Sequence, residues 1–599
     1  MSMRSASTIA LSTALALLVV ASSERPLRLA PVPEFLNPAY LALTACGKRP
    51  ETQSIFLRKD FRLALMASAS ADPALKTLDS DPPLDSNYGK AHFPISSPEA
   101  YTQAFFDQGL RLVYGFNHWE AERAFRAATR WDPNCAICYW GQALVLGPHI
   151  NAPMDPASLA DTLAALGKAK SLIATASPIE KALISALDKR YTADPTKTRA
   201  ELDQAYASAM AAVYAAYPKN PHIAILYAEA VMDTSPWDYW EADATTPKPA
   251  MLPAIKAVEA VMAAHPDHAG ANHLYIHLME ASRMPDRAEG AADRLATEAP
   301  MAGHLVHMPG HIYFRVGRYQ DALTANRQAV AVDERYLSGN QGSAVYRYGY
   351  YPHNVHFLLA SAGMAGDGGT ALEAAAKLDR IVPTPVLDAV PWLSHPVKAS
   401  VYFAEAQFGE PSTVLQIPMP PAQYPYLQAM WHYARGIALA ESGQGRPALA
   451  EADAIATLIK TADLKILTDN HMPARDIMTL AELVLRGKAQ ASMGNLNDAL
   501  IIMQQAAAKQ RSIPYTEPPY WYYPVEQSVG AILLRLNRPT EAIDAFNRSL
   551  MSHPNNAWSL YGLWLARQKT NDPATMATEA LYRKAIVPAD VPPPALERL

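Results

Sequence analysis

From residue 98 onward, apolar and small residues recur at helical spacing, and proline or glycine falls between the segments they mark. Counted from Gly109, Leu112 follows at +3, Ala121 at +12, Phe125 at +16, Ala128 at +19 and Pro133 at +24. The same ruler fits Gly310 with Tyr313, Ala322 and Ala329; Gly436 with Leu439 and Ala448; Gly487 with Ala499 and Ala506; and Gly530 with Leu533, Ala542, Phe546 and Pro554. Weaker units are centred on Ile276, with Ala288 and Pro300, and on Leu359, with Ala371. Small residues let two helices touch, the phenylalanine fills their seam, and the proline ends the unit. The stretches 150–265 and 375–425 fit the ruler least, yet Ala157 to Ala176 and Pro178 to Lys189 still read as helix. No long β-alternating run is evident, so the expected class is all-α.

This alternation resembles the tetratricopeptide repeat over roughly residues 98 to 599, and the overall pattern is similar to that of exported bacterial members of that family. The resemblance implies an α-α superhelix whose concave groove is lined by the first helix of each repeat. We divide the chain into an N-terminal array over 98–374 and a C-terminal array over 375–599.

Nine of the 17 histidines lie between His265 and His356. His273, His277 and Glu280 sit at i, i+4 and i+7, and His304, His307 and His311 at i, i+3 and i+7, so each trio forms one narrow helical stripe. The resemblance implies groove positions at −6, −3, +1 and +4 from the glycine slot. On that rule His273, His277 and Glu280 face the groove around Ile276, His304, His307 and His311 around Gly310, and His353 and His356 around Leu359. Eight candidate ligands on three successive inner helices suit a transition metal such as Cu, Zn, Fe or Ni. They exceed the needs of one ion, which implies two ions or ligands that only support others. Met279, Met301 and Met308 would favour copper if they point inward, and equally suit core filling.

Other features add candidates. Cys135 and Cys138 fall at −6 and −3 from Gly141 and fit a disulfide, a redox pair, two ligands or an incidental pair. Gly147 to Asn151 is placed to cap the groove, and His118 reads as a helix start. Of the aromatic runs around Trp237, Tyr350 and Trp521, Tyr350 and Tyr351 adjoin the histidine stripe, and Glu280 or Tyr351 is the first acid-base candidate. Arg4, the apolar Ile9–Ala21 and Ala21-Ser22-Ser23 form an export-signal pattern over 1–23, with Cys46 as an alternative lipidation site and a misplaced start as a third reading. Residues 24–97 read as a flexible lead-in. The net charge of −5 is spread without long runs, against a nucleic-acid binder, and no later stretch is apolar enough to span a membrane. His-Glu-x-x-His, Gly-x-Ser-x-Gly and the phosphate-binding loop are absent, so no nucleotide is expected. The expected function is metal binding by groove histidines, with metalloenzyme chemistry on a small substrate as its extension. The alternatives are a metal-free scaffold holding a protein or peptide, and a groove that responds to pH.

Overall fold

The computed structural model describes residues 81–339, 342–587 and 595–599, so the export pattern and Cys46 lie outside the described residues. Those residues form an all-α superhelix of TPR-like helix pairs, with two isolated β-bridges and no strand among them. Successive helices pack along their length, as in Ala100–Tyr114 with His118–Trp131 and Ala474–Ser492 with Leu496–Arg511.

The glycines of the ruler are contact points. A Cβ on Gly109 would stand 2.6 Å from the Phe125 ring, and one on Gly141 of the next repeat 2.5 Å from it. Phe546 is gripped in the same way by Gly530 and Gly562. One phenylalanine thus locks two successive inner helices to the outer helix between them, which is why the spacing repeats.

Two expectations change. The lead-in is not flexible up to residue 97. Phe93 is buried, its N–H donates to Asp107 (3.0 Å), its carbonyl accepts from Gln103 (2.9 Å), and Arg111 holds the Ala91 carbonyl at 2.9 Å. Irregular backbone with no periodic signal is pinned here by side chains of the first helix. Nor is the groove open at the middle repeats. The C-terminal half reaches back across it: Asn555 donates to the Gly317 carbonyl (3.2 Å), Gln320 to that of Lys584 (2.7 Å), and the Val587 N–H to that of Ala365 (2.8 Å). The irregular segment after the Leu496–Arg511 helix lays Tyr515 and Tyr522 over the inner helices.

Candidate metal centre

Four helices place the histidines. Ala269–Glu280 carries His273, His277 and Glu280. The next inner helix is broken into Gly303–His307 and Pro309–Arg315, because Pro309 has no N–H to continue the ladder; His304 and His307 lie on one side of the break and His311 on the other. Tyr351–Ala365 carries His353 and His356 and follows a π turn over Tyr346–Tyr350, a deviation frequent at functional sites.

Six of the seven histidines converge as two triads. Nitrogens of His273, His277 and His304 lie within 4.8 Å of one another, and so do those of His307, His311 and His353. The triads adjoin: the His277 and His311 rings are 6.3 Å apart and those of His304 and His307 6.2 Å. Only His353 has more than marginal exposure. These histidines are therefore walled in rather than presented along an open groove.

The outer nitrogens are held by acceptors. His273 Nδ1 donates to the Tyr114 carbonyl (2.7 Å) and His277 Nδ1 to Glu280 Oε1 (2.7 Å). His307 Nδ1 donates to Asn326 Oδ1 (2.6 Å), whose amide group faces that way because its Nδ2 donates to the Ala322 carbonyl (2.7 Å). A carbonyl or carboxylate can only accept, so all three rings carry their proton on Nδ1 and present a bare Nε2 inward. That is the outer support a histidine ligand commonly has. Asn326 occupies the +16 slot from Gly310, where the first and last well-fitting repeats have Phe125 and Phe546. Here the seam residue orients a ligand instead of filling space.

Two pairs of inward nitrogens face each other, His273 Nε2 with His304 Nε2 at 3.1 Å and His307 Nε2 with His311 Nε2 at 2.7 Å. Such a pair either shares one proton or faces a cation. His277 Nε2 and His304 Nδ1 are buried with no hydrogen-bond partner, a costly state that a ligated ion relieves at the His277 nitrogen.

Electrostatics favour the neutral ligand form. Burial, followed by repulsion from neighbouring imidazoles, holds His273, His304, His307 and His353 well below the usual histidine range. Burial lowers His277 as well. His311 is the exception: burial opposes its charge, but Glu280 and then Glu517 raise it. Glu280 is itself desolvated, yet its contacts with His311 and His277 keep its carboxyl low and ionised.

The walls are aromatic. Phe116 lies 4.5 Å from the His273 ring, Trp237 meets His277 edge-on at 5.0 Å, Tyr350 is 4.7 Å from His304 and Phe357 4.7 Å from His311. Phe116 and Trp237 both adopt positive φ, 52° and 62°, which is strained for bulky residues. Both strained aromatics press on the first triad. The 147–151 segment is adjacent as expected: His149 stacks on Phe116 at 4.7 Å and Trp237 donates to the Ile150 carbonyl (3.0 Å).

The remaining candidates fall elsewhere. His356 leaves the set, since its Nε2 pairs with the Tyr522 hydroxyl at 2.6 Å and burial pushes its pKa to about 3. Tyr351 turns to Glu334 (2.9 Å); the tyrosine beside the centre is Tyr350. Cys135 and Cys138 are bonded to each other within the core and are not ligands in that state. Met279 and Met308 fill the core, and Met301 meets Arg335. His118 opens the helix that Asn117 caps. The sequence reading missed Asn326, which the exception in the seam slot could have revealed. It also missed Glu517, which sits in an irregular loop and had no signal.

No protein-family profile matches the chain and no curated protein matches it. Among solved structures it is similar to yeast Tom70, at 11% identity over 81% of this chain and 91% of that one, with a TM-score of 0.25. It is also similar to the P58(IPK) TPR domain, at 12% identity over 79% and 99% with a TM-score of 0.22. A third is a human IFIT1 dimer with m7Gppp-AAAA, at 13% over 75% and 89% with a TM-score of 0.29. At such scores nothing about the centre passes from them to this chain.

Proposed function

We propose that this protein is an exported TPR-like protein that binds two transition-metal ions, copper or zinc, one on each imidazole triad. The observation that carries the reading is the pair of adjoining buried triads whose outer nitrogens are held by carbonyl, amide and carboxylate acceptors. All-imidazole sets suit Zn and Cu, and iron fits less well without a carboxylate in the same set. Glu280 acts as a support rather than a ligand of either triad, bridging the Nδ1 atoms of His277 (2.7 Å) and His311 (2.5 Å) and so tying the two sets together. Three protein ligands would leave each ion a position for a water or a small substrate, and the aromatic walls would shield that position from bulk solvent. Export is supported by the signal pattern and by the bonded Cys135–Cys138 pair, a state that persists in oxidising compartments.

The test is elemental analysis of tag-free protein beside a His277→Ala/His307→Ala double variant. Two equivalents of metal in the parent and their loss from a still-helical variant are expected. A folded parent that stays metal-free after incubation with copper, zinc and iron salts would overturn the reading.

A further inference from the structure

Beside the second triad, Glu280 and Glu517 both approach its member His311. Glu517 lies on the segment between the Leu496–Arg511 and Glu526–Arg535 helices, its side chain 6% exposed. Both of its carboxylate oxygens are buried without a hydrogen-bond partner. Glu280 Oε2 is buried too, and it forms an ion pair with His311 Nδ1 at 2.5 Å. Glu517 Oε2 lies 3.7 Å from the same His311 nitrogen. One ligand atom from each of the three residues falls within 4.8 Å of the others.

Two unpartnered carboxylate oxygens on one buried residue, beside an ion pair that leaves them out, are expensive unless something satisfies them. The nearby cationic side chain does not. Arg315 spends its guanidinium on the Glu280 and Ser282 carbonyls and stacks over Tyr515 at 4.8 Å. His277 already occupies the other oxygen of Glu280. Two buried carboxyl groups therefore converge on one imidazole nitrogen, which pairs with Glu280 and leaves Glu517 unbonded.

We infer that Glu280, His311 and Glu517 form a third cation site, sharing His311 with the second imidazole triad, which takes an oxygen-preferring divalent ion such as Mn2+ or Fe2+. One nitrogen and two carboxylate oxygens make a harder donor set than three imidazoles, which is the basis for the different choice of ion. Binding would place Glu280 Oε2, Glu517 and His311 Nδ1 on the cation and would expel the protons of Glu517 and His311 Nδ1, Glu280 being already ionised. Glu280 keeps Oε1 for His277. His311 keeps Nε2 for its triad, so its ring joins the third site to the second triad. The inference uses residues that also support the triads, but it does not require the triads to be filled.

Mn2+ is the probe, since three-imidazole sets hold it poorly. The full chain, stripped with chelator, is titrated with Mn2+ while the electron paramagnetic resonance signal of the free ion is followed. One equivalent should disappear in the parent and in a His273→Ala variant, which damages only the first triad. Glu517→Gln, nearly the same shape, should bind at least ~10-fold more weakly. Thermal unfolding supplies a second readout: Mn2+ should raise the midpoint of the parent and not that of Glu517→Gln. No uptake by the parent, or equal uptake by Glu517→Gln, overturns the third site. Copper or zinc binding to the triads is measured separately, so either reading can fail alone.

Discussion

The metal-free chain should lose stability steeply on mild acidification, and the loss should be greatest in the middle repeats. Five histidines carry most of the effect, and the lowered His277 adds to it. Burial holds His273, His304, His307 and His353 well below the ordinary value, and brings His356 to about 3. In the unfolded chain each titrates near 6.5. Between that value and its folded value each ring binds a proton only when unfolded, so stability is present above about 6.5 and falls as pH drops. At pH 5.5 one such histidine costs about 1.4 kcal/mol, and at pH 7.5 almost nothing. Five together approach ~7 kcal/mol, comparable with the whole stability of a typical domain. His311 acts in the opposite direction, and its raised value returns a part. The assay is hydrogen exchange on stripped protein at pH 7.5 and 5.5, corrected for intrinsic chemistry. The helices Ala269–Glu280, Pro309–Arg315 and Tyr351–Ala365 should lose protection while Ala474–Ser492 and Leu496–Arg511, which contain no histidine, keep theirs. Equal protection at both pH values in the middle helices would refute the claim that these rings are buried and neutral.

Three further outcomes follow from the same geometry. Glu280→Gln should weaken metal retention at both triads by ~10–100-fold in a competition titration, because one carboxylate orients a ring in each. Asn326→Leu should weaken the second triad by a similar factor and leave the first unchanged, as read from the stoichiometry of retained metal. Gly141→Ala should lower unfolding stability by about 1–3 kcal/mol with metal content intact, since its Cβ would meet Phe125 at 2.5 Å.

Much of the centre was legible in the helical spacing taken together with the groove slots that the repeat resemblance implies. A ruler anchored on Gly310 and Ile276 put His273, His277, His304, His307 and His311 on inner faces, and the structure gathers all five. Periodicity reports direction from a helix axis, however, not what lies opposite. His353 and His356 are three residues apart on one helix, yet one faces the triad and the other Tyr522. Tyr350 and Tyr351 are separated by the end of a π turn, which defeats a count in helical steps. Glu517 comes from a far repeat through an irregular segment, and no local pattern announces such a return. The burial of the centre has the same origin, since what closes a groove is set by superhelical curvature summed over many repeats.

Repeat arrays ordinarily tolerate duplication or loss of a unit, because each unit touches only its neighbours. This chain has given up that freedom in its middle. Glu517 must meet His311, and Gln320 must meet Lys584, so the number of repeats between those points fixes how far the superhelix has turned when it returns. One unit more or fewer there would swing Glu517 away from the histidines. Length variation among descendants of this chain should accumulate outside that closed circuit, where a repeat can be added without moving a ligand.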